Sequence, residues 1–308
     1  MNDLIINDGK LIQQFNDFII WLDKKPATIG TYQRALKVFA DYCKNEYIEI
    51  PKRQDIINFK NKLIAEGKQA TTIQSYLTAI SKFYKWLSIN YNVKNEAQDI
   101  ERPKVNYKQG FKKGYINEQK TFELMNQFNL NNINDLRNYI IVALSFFCGL
   151  RTIEIERANI QDLSNLYGYN VLYIQGKGRD DKNEFVKLPN EIYFAIKKYI
   201  ESREDKNEAL FVSTSNNNNG QRVAKDSISR IVKQALRNIG IDTPKITQHS
   251  GRHTLASIML NNGYSITQIS EALRHESEQT TKIYLNSKNR IENNIEIDMY
   301  NLIMKPSK

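Results

Sequence analysis

Histidine and cysteine are scarce in this 308-residue chain, with three of the first and two of the second. Two cysteines, Cys43 and Cys148, cannot build a cysteine-rich zinc site. Both sit in apolar helical patterns, which points to a reducing cytoplasm rather than a disulfide framework. No apolar run reaches the ~18 residues of a membrane span; the best, residues 139–144 extended by 146–148, is interrupted by Ser145. The first residues, Met1-Asn2-Asp3-Leu4, lack the basic start and apolar core of a secretory signal. A nucleotide loop is missing too, because Gly176-Lys177-Gly178 has no Gly-x-x-x-x-Gly-Lys-Ser/Thr frame. There is no internal repeat.

What the chain has in excess is positive charge: 44 Lys and Arg against 34 Asp and Glu, a net of +10. Such a surplus favours a polyanionic partner, since Lys and Arg neutralising phosphates drive nucleic-acid affinity. No basic amphipathic helix is concentrated enough to prefer a membrane surface. With 41% hydrophobic residues, the length fits two domains.

Helical periodicity organises the first ninety or so residues into four helices. Leu11, Phe15, Phe18, Ile19 and Leu22 form one stripe, ended at Lys25-Pro26. Thr28 is the expected N-cap of the next, with Tyr32, Leu36, Phe39 and Cys43. Pro51 precedes a third, with Ile56, Ile57, Phe59, Leu63 and Ile64 before Gly67. Ile73, Tyr76, Leu77, Ile80, Phe83, Tyr84 and Leu87 mark the fourth, whose Lys82 and Lys85 face away from the stripe. These aromatics read as core. Residues 101–114, with Arg102, Lys104, Lys108, Lys112 and Lys113, read as a basic linker. Helices follow near 117–128 and 133–148, then a β-hairpin from 171–174 and 185–188 with Lys177 in its turn region. A helix near 191–200, a mobile asparagine-rich loop at 216–220 and a helix ending at Gly240 complete this stretch.

The chemistry-bearing residues cluster late. Positions 249, 252 and 253 are spaced i, i+3, i+4, so His249, Arg252 and His253 share a helix face, with Leu255, Ile258 and Met259 as core anchors. Ser265 and Gln268 form a capping box for a helix carrying Ile266, Ile269 and Leu273, which delivers His275. A short helix from about Ser277 presents Tyr284. Upstream, Cys148-Gly149-Leu150-Arg151 breaks a helix and is followed by Glu154. Two arginines, imidazoles and a tyrosine suit phosphodiester chemistry, in which cations hold the oxygens while a hydroxyl attacks phosphorus.

In order and spacing the chain resembles a tyrosine recombinase of the phage integrase family, of the compact Xer or mobile-element type. That family has an arginine in a Gly-Leu-Arg turn, an acid three residues on and a lysine in a β-hairpin. His-x-x-Arg-His, Leu-Gly-His and a tyrosine nine residues later complete the pattern. These fall on Arg151, Glu154, Lys177, His249 with Arg252, His275 and Tyr284. The resemblance implies a mainly α fold with a small antiparallel sheet: a helical core-DNA-binding domain at 1–100 and a catalytic domain at 115–308 ending in a helix at 287–303, the two closing as a C-shaped clamp. It implies that Tyr284 is the nucleophile of a 3′-phosphotyrosyl intermediate and that Lys177 is the general acid. Arg151 and Arg252 clamp the phosphate, with His249 and His275 assisting. Glu154 orients the arginines, and His253 supports the site structurally.

Neither metal nor nucleotide cofactor is expected. The implied partners are duplex DNA with a specific site and three further protomers, of the same chain or shared with a second recombinase. The chain begins directly at the core-binding helices, leaving no room for an arm-site domain. Three departures stand out: Arg274 replaces the glycine of Leu-Gly-His, so that helix must end without it; Ser250-Gly251 replaces the common Asp-Leu, which is expected to loosen the segment holding Arg252; and the lysine hairpin is longer than usual. The rival readings are a zinc site on His249 and His253, which lacks the adjoining Glu, a non-catalytic DNA-binding protein on the same fold, and a type IB topoisomerase-like activity.

Overall fold

The computed structural model describes residues 8–104, 114–176 and 179–274. The chain divides into two compact units, Met1–Tyr107 and Lys108–Lys308.

The first unit holds the four expected helices: α1 (Asp8–Trp21), α2 (Pro26–Asn45), α3 (Arg53–Ala65) and α4 (Ala70–Tyr91). Helix α2 begins three residues earlier than the Thr28 cap implies, with Lys25 as its extended N-cap and Pro26 in the first turn. Proline is pre-set for that position because its φ is already helical and its missing N–H would have had no partner. The Thr28 amide instead donates to the Lys25 carbonyl at 2.9 Å. Past the end of α3, Gly67 takes φ +71°. Its amide bonds the Ile64 carbonyl at 2.9 Å and that of Lys68 bonds Leu63 at 3.0 Å, the paired closure that a left-handed residue makes possible.

Phe18, Leu36, Phe39, Ile56, Phe59, Ile80 and Phe83 meet in one core. The rings pack edge to face, Phe18 on Phe83 at 5.4 Å and Phe39 on Phe59 at 5.2 Å. Of the α3 stripe, Ile64 is exposed rather than buried. Lys82 and Lys85 are solvent-facing, as the helical period requires. The stretch expected to start a linker is bonded to this unit: Lys60 reaches the Glu101 carbonyl at 3.2 Å, and Gln74 that of Pro103 at 2.8 Å.

The second unit is built around α6 (Ile133–Phe146), whose residues from Ile140 to Phe146 are all buried. Around it pack α5 (Glu118–Asn126), α7 (Thr152–Arg157), α8 (Asn190–Glu201) and α9 (Lys225–Asn238), followed by α10 (Ser250–Asn261) and α11 (Ile266–Leu273). The expected hairpin is present as β2 (Tyr169–Ile174) and β3 (Glu184–Lys187), with Leu172 opposite Val186. A further strand, β1 (Leu163–Leu166), pairs antiparallel with β2 and makes the sheet three-stranded. Its turn, Tyr167-Gly168, has both φ values positive, at 49° and 82°, the geometry of a two-residue hairpin loop. Residues 216–220, expected to be mobile, lie in a bonded turn. Ser213 donates to the Gln221 carbonyl at 2.8 Å, and Gly220 returns to the Ser213 carbonyl at 2.9 Å.

Candidate active site

The site is organised by the turn after α6. Gly149 takes φ +59°, and a Cβ there would sit 2.7 Å from Leu273 Cδ2 and 3.1 Å from Leu255 Cδ2. Glycine is thus required for conformation and for space. The turn hands Arg151 to α7 as its N-cap, and Glu154 falls one helical turn on. Glu154 Oε2 accepts the Arg151 amide at 2.8 Å, and Oε1 accepts Arg151 Nη1 at 2.7 Å. A carboxylate is favoured there by the free N–H groups and positive dipole end of a helix. Glu154 is fully buried, whereas the Arg151 side chain stays 24% exposed.

Arg252 enters from α10. It is buried, and its two terminal nitrogens donate to the carbonyls of Gly149 and Leu273. The Ser250-Gly251 pair before it tightens this segment rather than loosening it. A Cβ on Gly251 would lie 2.4 Å from the Ser145 carbonyl oxygen, so α10 rests directly on the end of α6. The Ser250 hydroxyl accepts the Thr247 amide at 3.0 Å. The buried face of α10 is accordingly Ser250, Gly251, Arg252, Thr254 and Ala256. Of the expected anchors, Leu255 and Met259 are only partly buried, against the small cluster of Ala256, Ile269 and Leu273, and Ile258 lies outside it. Small and hydrogen-bonding residues win here because two backbones approach too closely for large apolar side chains. Thr254, for instance, accepts the Ile116 amide at 3.1 Å.

Two residues not singled out in the sequence as site residues complete the arrangement. Gln248 is buried, accepts the Thr152 hydroxyl at 2.7 Å and donates to the Leu150 carbonyl at 2.9 Å. It thereby ties the start of α10 to the Gly149-Leu150-Arg151 turn. Arg274 ends α11 in the left-handed conformation, φ 54°. Its Nη1 caps the Ala272 carbonyl at 2.9 Å; its Nη2 lies 3.2 Å from Glu154 Oε2 and 3.4 Å from the Gly149 carbonyl. Burial pushes the Arg274 guanidinium below its ordinary pKa, Glu154 opposes that and Arg151 adds to it. Burial also pushes the neighbouring Cys148 thiol up to about 12.

The structure therefore brings Arg151, Glu154 and Arg252 together, with Arg274 added. His249 is exposed at the N-cap of α10, and His253 is half-buried one turn later. Lys177, His275 and Tyr284 lie outside the described residues, as do the C-terminal helix at 287–303 and the linker residues 105–113. Beside Lys177, the loop between β2 and β3 is fastened by Arg179 to Glu184 at 3.1 Å. Lys182 of the same loop is engaged with Asp162 and, at 3.1 Å, with the Arg157 carbonyl. Among the described residues no group of three or more His, Cys, Asp and Glu side chains is placed to hold a metal ion. Chemically, Arg151 and Arg274 meet on the Glu154 carboxylate while Arg252 shares the Gly149 carbonyl with Arg274, a gathering of positive charge that suits a phosphate.

Residues 115–290 match the model of the phage integrase family, and residues 12–89 match the phage integrase N-terminal SAM-like domain. A tyrosine recombinase XerC of Leptospira interrogans is 30% identical over 86% of this chain and 85% of its own. Tyrosine recombinase XerA of Pyrococcus furiosus is 28% identical over 90% and 89%. Among solved structures, a XerH site-specific recombinase bound to a palindromic difH substrate, in a post-cleavage complex, aligns over 96% of this chain and 91% of that one, at TM-score 0.72 and 18% identity. A lambda integrase from a tetramer on a Holliday junction aligns over 91% and 78%, at 0.67 and 16%. The chain belongs to the phage integrase family. It is a DNA strand-transferring enzyme of the tyrosine recombinase type, and its activity is site-specific recombination.

Proposed function

We propose that Tyr284 attacks a scissile phosphate held by Arg151 and Arg252. The phenol oxygen forms a bond to phosphorus while the bond to the 5′-oxygen breaks, leaving a 3′-phosphotyrosyl link. Lys177 protonates the departing 5′-oxygen, and His249 or His275 takes the phenol proton or hydrogen-bonds the same phosphate oxygens. A phenol of pKa ~10 is only about 0.1% ionised at neutral pH, so a strongly cationic surrounding is needed. Guanidinium forks stabilise the extra charge of five-coordinate phosphorus, and losing one such donor typically costs ~3–4 kcal/mol of transition-state stabilisation. Glu154 orients Arg151, and His253 supports the fold beside it. Because Lys182 is engaged with Asp162, Lys177 is the better choice for the acid. The phosphotyrosyl bond conserves the energy of the strand, so religation needs no nucleotide.

The partner is duplex DNA carrying a specific site, with residues 1–100 as the core-binding domain, 101–114 as the linker and 115–308 as the catalytic domain. Four protomers act on two sites, alone or with a second recombinase, in the cytoplasm. The observation that carries the reading is the meeting of Arg151 and Arg252 at the Gly149 turn, braced by buried Glu154. Incubation with a nicked cognate site is expected to give a covalent protein–DNA adduct that Tyr284→Phe abolishes. Tight binding by the wild type without any adduct would make the chain a binding module; relaxation of plasmids lacking the site would make it a topoisomerase.

A further inference from the structure

The site contains one cation that the phosphate-binding role does not require. Arg274 stands where the family resemblance places glycine, and it takes a left-handed φ of 54°, a conformation that costs a side chain energy and glycine none. As a helix C-cap it needs only its backbone amide, which donates to the Glu271 carbonyl at 2.9 Å. The side chain nevertheless folds inward until it is 8% exposed, and its Nε is buried without a hydrogen-bond partner. Burying a guanidinium and orphaning one of its donors is unfavourable, so the contacts made in return must matter.

Those contacts are shared acceptors. Glu154, which holds Arg151 at 2.7 Å, takes Arg274 at 3.2 Å. The Gly149 carbonyl, which takes Arg252, also takes Arg274 at 3.4 Å. Arg274 thus bonds the acceptor of each of the two other arginines. We propose that Arg274 is a positioning residue for strand transfer: by engaging the Glu154 carboxylate and the Gly149 carbonyl together, it fixes Arg151 and Arg252 relative to each other and locks the end of α11, from which His275 follows, to the same turn. This rests on the reading of Arg151 and Arg252 as the phosphate clamp.

The test compares wild type, Arg274→Gly, Arg274→Lys, Glu154→Gln and the double variant Arg274→Gly with Glu154→Gln. Glycine keeps the left-handed helix end, so the fold and the affinity for the nicked site are expected to stay near wild type. The rate of adduct formation is expected to fall about ten- to hundredfold, the scale set by small displacements of catalytic groups. Lysine, which keeps the charge, should recover part of the rate. In the Glu154→Gln background the glycine change should cost less than it does alone, because the amide has already weakened the route through residue 154. A wild-type rate in Arg274→Gly, or an equal loss in both backgrounds, overturns the proposal.

Amide hydrogen exchange gives a readout that does not depend on activity. Residues 149–154 should exchange faster in Arg274→Gly while the rest of α6 does not. Unchanged exchange there rejects the positioning role, even if wild type forms no adduct and the clamp reading fails separately.

Discussion

Glu154 is a carboxylate with no exposure, set between Arg151 and Arg274 at 2.7 and 3.2 Å. Removing it leaves two guanidiniums facing each other across the Gly149 turn with no countercharge. Breaking a buried pair in this way typically costs ~3–5 kcal/mol. Glu154→Ala should therefore lower the unfolding free energy, read by urea titration, by an amount of that order, and Glu154→Gln by less, because the amide oxygen still accepts one of the donors. An alanine variant as stable as wild type would mean that the turn is held by something other than this carboxylate. At this scale Arg151, Glu154 and Arg252 were legible because they stand in motifs, Gly-Leu-Arg with an acid three residues on and His-x-x-Arg-His, that resemble the phage integrase pattern. Gln248 and Arg274 were not, because their roles depend on partners about a hundred residues away: Gln248 bonds Thr152, and Arg274 bonds Glu154. Arg274 was visible only as an odd residue at a helix end, with nothing local to say that its side chain folds inward.

Among elements, the contact of α10 with α6 decides where Arg252 sits. Two glycines separate the kinds of cost involved. Gly67 has φ +71° and empty space where a Cβ would go, whereas a Cβ on Gly251 would lie 2.4 Å from a backbone oxygen of α6. Gly67→Ala should cost about 1–2 kcal/mol for the left-handed backbone alone and leave adduct formation unchanged. Gly251→Ala pushes two helices apart, so it should cost about 1–3 kcal/mol and also slow adduct formation by displacing Arg252. Equal effects of the two on cleavage would show that the helix contact does not set the site. The four helices of the first unit were readable from their 3.6-residue stripes, since burying an apolar stripe is what holds them. Strand β1 was not, because Leu163-Ser164-Asn165-Leu166 has little apolar alternation and owes its place to pairing with β2. The buried face of α10 departs from the periodic pattern for a related reason: close backbone approach selects Gly, Ser and Thr over larger apolar residues.

At the scale of the whole chain, each unit carries its own apolar core and one buried thiol, Cys43 in the first and Cys148 in the second. The helical half and the mixed half were readable from length and from the switch between helical and alternating periodicity, because a core is made from residues whose pattern repeats along the sequence. Burial pushes both thiols from 9.0 up to about 12. Above the ordinary value the unfolded chain gives up these protons while the folded chain keeps them, so the unfolded state binds fewer protons and stability falls with rising pH. Below about 9 both states are protonated and the thiols contribute no slope; the loss runs from there to about 12. At about pH 10 each thiol should take off up to ~1.4 kcal/mol, one pH unit of differential binding. Cys43→Ala and Cys148→Ala should each flatten the fall of the urea midpoint between about pH 8 and pH 10, and the comparison with wild type isolates the cysteines from buried tyrosines such as Tyr84, which burial also pushes up. The same variants leave a single thiol in one unit, so alkylation across a urea series reads the opening of the first unit in Cys148→Ala and of the second in Cys43→Ala. Separate cores predict two labelling midpoints. A single shared midpoint would mean that the two units unfold as one cooperative body.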